Sequence, residues 1–217
     1  MSKRYIADQH FFDEDVRVKM DKRPFDNCEE KNSYMIDQWN SVVRGGDDVY
    51  VLGDMFDWKG AGSALPINKV LHKLKGRIVL LKGNHDIWLK KKDIDLERFE
   101  KIETQIEMGD KKKEVLLNHY PILFFGKNHT KSPDGGLKKF MLHGHVHDSP
   151  EAKLLYEMEE MAAGRSFETA HDGVEPMVCN LINCWCGYSE YKPLTLNEWI
   201  NKSLQLTSED AIAKRRS

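Results

Sequence analysis

The sequence predicts a mixed α/β fold on two observations. Short apolar runs bounded by turn residues alternate with amphipathic helical stretches as far as Leu81, and shorter strands, two of them around a hairpin signal, come after it. The 217 residues suit one domain with a sizeable core. Tyr5-Ile6-Ala7 is the first strand. Glu29 to Val43 places Met35, Ile36, Trp39, Val42 and Val43 on one helical face, with Asp26 and Glu29 as a capping box and Gly45-Gly46 as the stop. Val49 to Leu52 is a buried strand. Ile67, Val70, Leu71 and Leu74 mark a second helix, ended by Gly76, and Ile78 to Leu81 is a third strand.

Beyond Leu81, Ile102 to Met108 and Glu114 to Asn118 read as a hairpin around Gly109-Asp110, and Phe140 to Leu142 as a further strand. Glu151 to Ala163 is an acidic helix, an insertion near 151–165 between strand regions. Met177 to Trp185 returns to strand, and Thr195 with Glu198 caps a last helix. One domain is expected over 1–207, with 208–217 a flexible tail. Trp39 and Trp199 are read as core.

Composition excludes several classes. Hydrophobic residues are 40% and charged residues 31%, ordinary for a globular protein, and the net charge of -2 leaves no dedicated nucleic-acid surface. The runs Lys90 to Lys92 and Lys111 to Lys113 read as solvated. No apolar stretch is long enough to span a membrane, and Met1 to Asp8 lack the apolar core of a signal peptide. The expected location is the cytoplasm, where Cys28, Cys179, Cys184 and Cys186 are reduced. Cys184 and Cys186 flank Trp185 and are expected on one strand face.

The residue types that carry chemistry cluster just past the strand ends: Asp8 and His10 after the first, Asp54 and Asp57 after the second, Asn84, His85 and Asp86 after the third, His119 after a fourth, and His145 and His147 after a fifth. In an open α/β sheet, residues beyond the carboxyl ends of strands share one crevice. Carboxylate, amide and neutral imidazole together suit Mn, Fe, Zn or Ni better than Mg or Ca. Seven such ligands are too many for one ion and fit two sharing a carboxylate. Two metals roughly 3.5–4 Å apart can clamp the attacking and leaving oxygens of a phosphoryl displacement. His143 lies outside this pattern and reads as structural, as do His72, His129 and His171. Asp86 is left open between a supporting and a turn residue.

Asp8-Gln9-His10, Gly53-Asp54-Met55-Phe56-Asp57, Gly83-Asn84-His85-Asp86, Asn118-His119 and Gly144-His145-Val146-His147 resemble, in order, the five motifs of calcineurin-like metallophosphoesterases. Arg23-Pro24-Phe25, Val178 to Trp185 and Pro193 to Leu196 are similar to a small bacterial and phage subgroup. The resemblance implies a four-layer α-β-β-α sandwich of two mixed sheets. It also implies two divalent ions, Mn foremost: Asp8, His10 and His147 would hold one, Asn84, His119 and His145 the other, and Asp54 would bridge them. A hydroxide between the metals is the implied nucleophile, His85 the general acid, and Asp57 the residue that orients its ring. The implied partner is a phosphate-ester small molecule or nucleotide, with monoester and diester both open. Arg23 is read either as a contact to the substrate phosphate or as a plain loop arginine, with Lys127 and Lys131 as further candidates for the contact. A catalytically silent scaffold of the same fold is the alternative from another class; it would show decayed motifs. A nuclease would call for a basic track.

Overall fold

The computed structural model of the chain describes residues 1–133, 135–169 and 173–206. Four parallel strands, β1 (Lys3–Ile6), β2 (Asp48–Val51), β3 (Arg77–Leu81) and β4 (Phe99–Glu103), pair in that order. Between them run α1 (Cys28–Val42), a single turn α2 (Trp58–Ala61) and α3 (Ala64–Lys73). The second sheet holds β5 (Gln105–Asp110), β6 (Lys113–Asn118), β7 (Lys139–His143) and β10 (Leu181–Asn183), in the order β10-β7-β6-β5. Only its β5–β6 pair is antiparallel. Between β7 and β10 lie α4 (Pro150–Ala163) and a ribbon of β8 (Ser166–Thr169) and β9 (Gly173–Pro176); α5 (Leu196–Leu206) follows β10.

Two-residue alternation sorts the strands into four layers. Tyr5, Tyr50, Leu52, Val79 and Leu81 face Val115, Leu117, Phe140, Leu142 and Ile182 across the gap between the sheets. The intervening Ile6, Val49, Val51, Ile78 and Leu80 face Met35, Trp39, Ile67 and Leu71 of α1 and α3. On the far side, Leu116, Met141 and Leu181 pack under α4. The architecture is an α-β-β-α sandwich. No described helix is long and apolar enough to cross a membrane.

Several local expectations shift. The stretch from Ile102 to Met108 is not one strand: the chain leaves the first sheet after Glu103 and enters the second at Gln105. The hairpin turns at Lys111-Lys112, because Gly109 and Asp110 stay paired with Glu114 and Lys113 and the Asp110 carboxylate accepts the buried Tyr5 hydroxyl at 2.9 Å. Asn27, not Asp26, caps α1: its side chain accepts the Glu30 N–H at 2.9 Å, and Glu30 returns a carboxylate to the Asp26 N–H. The Thr195–Glu198 box stands as expected.

The stretch from Met177 to Trp185 is strand only over β10. After Asn183 it crosses to β1, where Ala7 N–H donates to Cys184 O and Cys186 N–H to Ala7 O. Cys184 therefore faces the gap between the sheets and Cys186 the opposite core, not one common face. The expected helical insertion near 151–165 is α4, and the β8–β9 ribbon, which was not expected, follows it before β10. The expected tail, 208–217, and His171 lie outside the described residues.

Glu159 fastens α4 to the second sheet by accepting the Leu181 N–H at 2.9 Å. Burial pushes its carboxyl from 4.5 up to about 7. With the folded value above the unfolded one, the stabilising share is complete below the unfolded value and is lost as pH rises through the folded one. Glu159→Gln should therefore flatten the decline of unfolding free energy between pH 4.5 and 7, by on the order of 2 kcal/mol. Denaturant titrations of both proteins across that range check it; parallel pH profiles would contradict it.

Candidate metal centre

The residues after the strands do converge. One ligand atom each from Asp8, His10 and His147 lie within 4.8 Å of one another, and so do those of Asp54, His119 and His145. Asp54 joins the two groups: its Oδ2 is 3.8 Å from His10 Nε2 and 3.3 Å from His119 Nε2, while its Oδ1 accepts the His85 N–H at 2.7 Å. Asn84 Oδ1 lies 2.9 Å from His119 Nε2, which adds the seventh expected ligand to the second group.

The backbone has to bend sharply to bring them together. Asp8, His10, Asp54, His145 and His147 all have positive φ, between 47° and 72°. Left-handed backbone costs about 1–2 kcal/mol for a residue with a Cβ, so the surroundings must hold it. Buried Arg23 donates to Gln9 O at 2.6 Å and Asp8 O at 2.8 Å, and buried Lys31 to His10 O and Asp13 O, both at 2.8 Å. Asp86 accepts the N–H groups of Asp54, Met55 and Gly83 and the Trp88 indole, tying the second and third loops together. Burial and the neighbouring Asp54 charge push its carboxyl up. Glycine is required where ligand carboxylates lie against the backbone: a Cβ on Gly83 would sit 2.1 Å from Asp54 Oδ1, and one on Gly144 2.6 Å from Asp8 Oδ2.

These side chains fit divalent ions on two observations. His10 is 1% exposed and neither ring nitrogen has a hydrogen-bond partner; Asp13 Oδ2 stands 3.4 Å from Nδ1 without completing one. A buried imidazole left bare at both nitrogens is costly unless something binds it. At His119, Nδ1 donates to Leu52 O at 2.8 Å, so a neutral ring presents the Nε2 lone pair to Asn84 Oδ1 and Asp54 Oδ2. Three acceptors meeting at one point need a proton or a metal ion between them.

The charges agree with this. Burial opposes ionisation of Asp54, but the hydrogen bond and charge of His119 outweigh it and hold the carboxyl at about 2. Burial likewise disfavours a charged His119, yet Asp54 and Asp8 raise it to about 9. A proton on His119 Nε2 then satisfies the Asn84 and Asp54 oxygens.

The structure corrects two expected roles. Arg23 does not face the crevice: it is 4% exposed, its Nε and Nη2 hold Asp21, and its remaining bonds go to the Gln9 and Asp8 carbonyls beneath the ligands and to the Met35 sulfur. Its contacts leave the guanidinium no face for a phosphate. Asp57 does not orient the His85 ring: its carboxylate accepts the Lys59 and Gly60 N–H groups and caps α2. His85 is exposed, with its ring centroid 5.2 Å from that of His10. His143 is buried and bonded to Gly144 O, and burial pulls its imidazole down to about 4, in keeping with a structural role.

Sequence reasoning missed the supporting residues. Asp21 accepts His147 Nδ1–H at 2.8 Å, which turns Nε2 toward Asp8 Oδ1, 3.7 Å away. Asn183 holds His147 O at 2.7 Å, and Trp185 stacks on the His147 ring. Exposed Tyr120 lies against His145 and His119, with centroids 4.6 and 5.0 Å away. Its position directly after the Asn118-His119 pair was the one signal in the sequence; Asp21 had none.

Two Mn²⁺ ions are expected to bind per chain by calorimetry and elemental analysis, and Asp54→Ala should lose both. Asp21→Asn should weaken only the ion held by Asp8, His10 and His147, by about 10–100-fold. Retention of one ion in Asp54→Ala would show that Asp54 is not shared.

No family model matches the chain. In fold it is similar to a protein of unknown function from Aquifex aeolicus, AQ665, whose crystal structure superposes with a TM-score of 0.57 at 22% identity, over 93% of this chain and 98% of that one. In sequence it is similar to uncharacterized protein MJ1445 of Methanocaldococcus jannaschii, 32% identical over 145 residues, which is 65% of this chain and 67% of that protein. The match is long and close enough to show kinship, and the chain belongs to the family of that archaeal protein.

Proposed function

We propose that the chain hydrolyses phosphate esters at a dinuclear metal centre, with Asp8, His10 and His147 holding one ion, Asn84, His119 and His145 the other, and Asp54 both. The observation that carries this reading is the Asp54 Oδ2 lying between the two ligand groups, one of which contains a buried imidazole, His10, with no hydrogen-bond partner at either nitrogen. Manganese suits the carboxylate, amide and imidazole set best, with Fe, Zn and Ni as further fits. Bound ions would supply positive charge to the phosphate oxygens and lower the pKa of water.

The chain's own part is proton delivery and positioning. His85 is exposed at the mouth, and its backbone N–H is fixed to the bridging carboxylate, so its ring stays beside the centre without joining it. From there it donates a proton to the departing alkoxide oxygen. Its placement comes from the turn that Asp54 and Asp86 hold, not from Asp57. The substrate is a small phosphate ester or nucleotide.

The test is hydrolysis of p-nitrophenyl phosphate, its bis-ester and 2′,3′-cyclic nucleotides by EDTA-treated and Mn²⁺-restored protein. Activity should vanish with chelation and return with Mn²⁺; full activity in EDTA refutes the mechanism. His85→Ala should keep both ions yet lower kcat by about 10²–10⁴-fold, and by less for a p-nitrophenolate leaving group than for an alkoxide. A loss independent of leaving group would mean that His85 positions phosphate instead. Asp57→Asn should leave kcat within about twofold of the parent, because asparagine caps a helix as well as aspartate does.

A further inference from the structure

A groove of about 450 Å³ opens beside Asn84, between the turn that follows β3 and the edge strand β4. Its lining includes Ile87, Leu96 and Ile102. Two of these are large apolar side chains left open to solvent, Ile87 at 55% and Leu96 at 40%. Exposed Lys82 and Lys90 also line it. Neither joins an ion pair among the described residues, whereas Lys101 at the nearby edge is paired with Glu103 at 3.1 Å. The Asp86 carboxylate borders the groove, but its oxygens already accept three backbone N–H groups and an indole.

We infer that this groove binds the alcohol half of the substrate, and that this half has an apolar body carrying an acidic group of its own. The inference rests on the proposed phosphoester chemistry and specifies its substrate class. Three features point the same way. The groove adjoins a ligand of the centre and the turn that carries His85, the side from which a leaving group would accept its proton. Its apolar wall gains by being covered. Its two unneutralised ammonium groups complement an anion that the candidate centre does not itself hold. Arg23, bound from below to the ligand loop, cannot supply that charge.

Non-hydrolysable phosphonates test this without turnover. Calorimetry on the Mn²⁺-loaded full chain would compare methylphosphonate, benzylphosphonate and 4-carboxybenzylphosphonate. Affinity should rise along the series, with the carboxylate worth about three- to tenfold, the range of one or two solvent-exposed ion pairs. Lys82→Ala/Lys90→Ala should erase the gain from the carboxylate and leave benzylphosphonate binding intact. Ile87→Ser should reduce the gain from the benzyl group. Since all three positions are exposed, these variants should fold, and unchanged methylphosphonate affinity would verify it. Equal affinity for the three ligands, or a carboxylate gain that survives loss of both lysines, overturns the groove assignment and leaves the phosphoester reading standing. Failure of all three to bind the metal-loaded protein overturns both.

Discussion

Backbone bending at the strand ends is the constraint on which the centre depends. Ligands from five loops meet only because the chain turns through left-handed conformations at Asp8, His10, Asp54, His145 and His147. Each such turn takes peptide groups out of the sheet ladders, and buried peptide groups must find partners elsewhere. Arg23 and Lys31 bind the freed carbonyls of the first loop, and Asp86 binds the freed N–H groups of the second and third. Charged side chains in the interior are thus the mortar of the loops. Arg23 also grips Asp21, which grips His147, so one guanidinium joins the first loop to the last ligand.

The same network explains the sign of the local field. The side chains of Asp8, Asp13, Asp21, Asp54 and Asp86 are all largely buried around the ligands, against the two buried cations Arg23 and Lys31. An interior that concentrates carboxylates beyond its own cations is poised for added positive charge. Burial and the charge of His119 lower the imidazole of His145, whereas Asp8 and Asp21 raise that of His147 despite its burial. The first ligand group, with Asp8, His10 and His147 all buried, is the more enclosed of the two. The second, with neutral Asn84 and a backbone carbonyl behind His119, is the more open.

Much of this was legible in the sequence, for identifiable reasons. Buried strands such as Val49 to Leu52 and Ile78 to Leu81 carry uninterrupted apolar signals, and the ligands come immediately after them. The other six expected ligands fall into two groups that meet at Asp54. Arg23 and Asp57 illustrate the opposite case. A sequence shows that a cation or a carboxylate lies near a motif, but not which of its neighbours will claim it. Backbone carbonyls and a helix N-terminus took these two first. The strand from Ile102 to Met108 misled because hydrophobic alternation continues through the step at Thr104, where the chain changes sheets without a glycine or proline to mark it. Asp21 was invisible because 126 residues separate it from His147.

That step at Thr104 divides the molecule more deeply than its place in a continuous chain suggests. The four strands of one sheet all lie between Lys3 and Glu103, and the four strands of the other between Gln105 and Asn183. Each ligand group draws from both: Asp8 and His10 with His147, and Asp54 and Asn84 with His119 and His145. An ion held in either place would therefore be a rivet between two half-molecules, and its affinity would add directly to the free energy of their docking. A chain cut at Thr104 would be a two-part protein whose reassembly is governed by metal concentration.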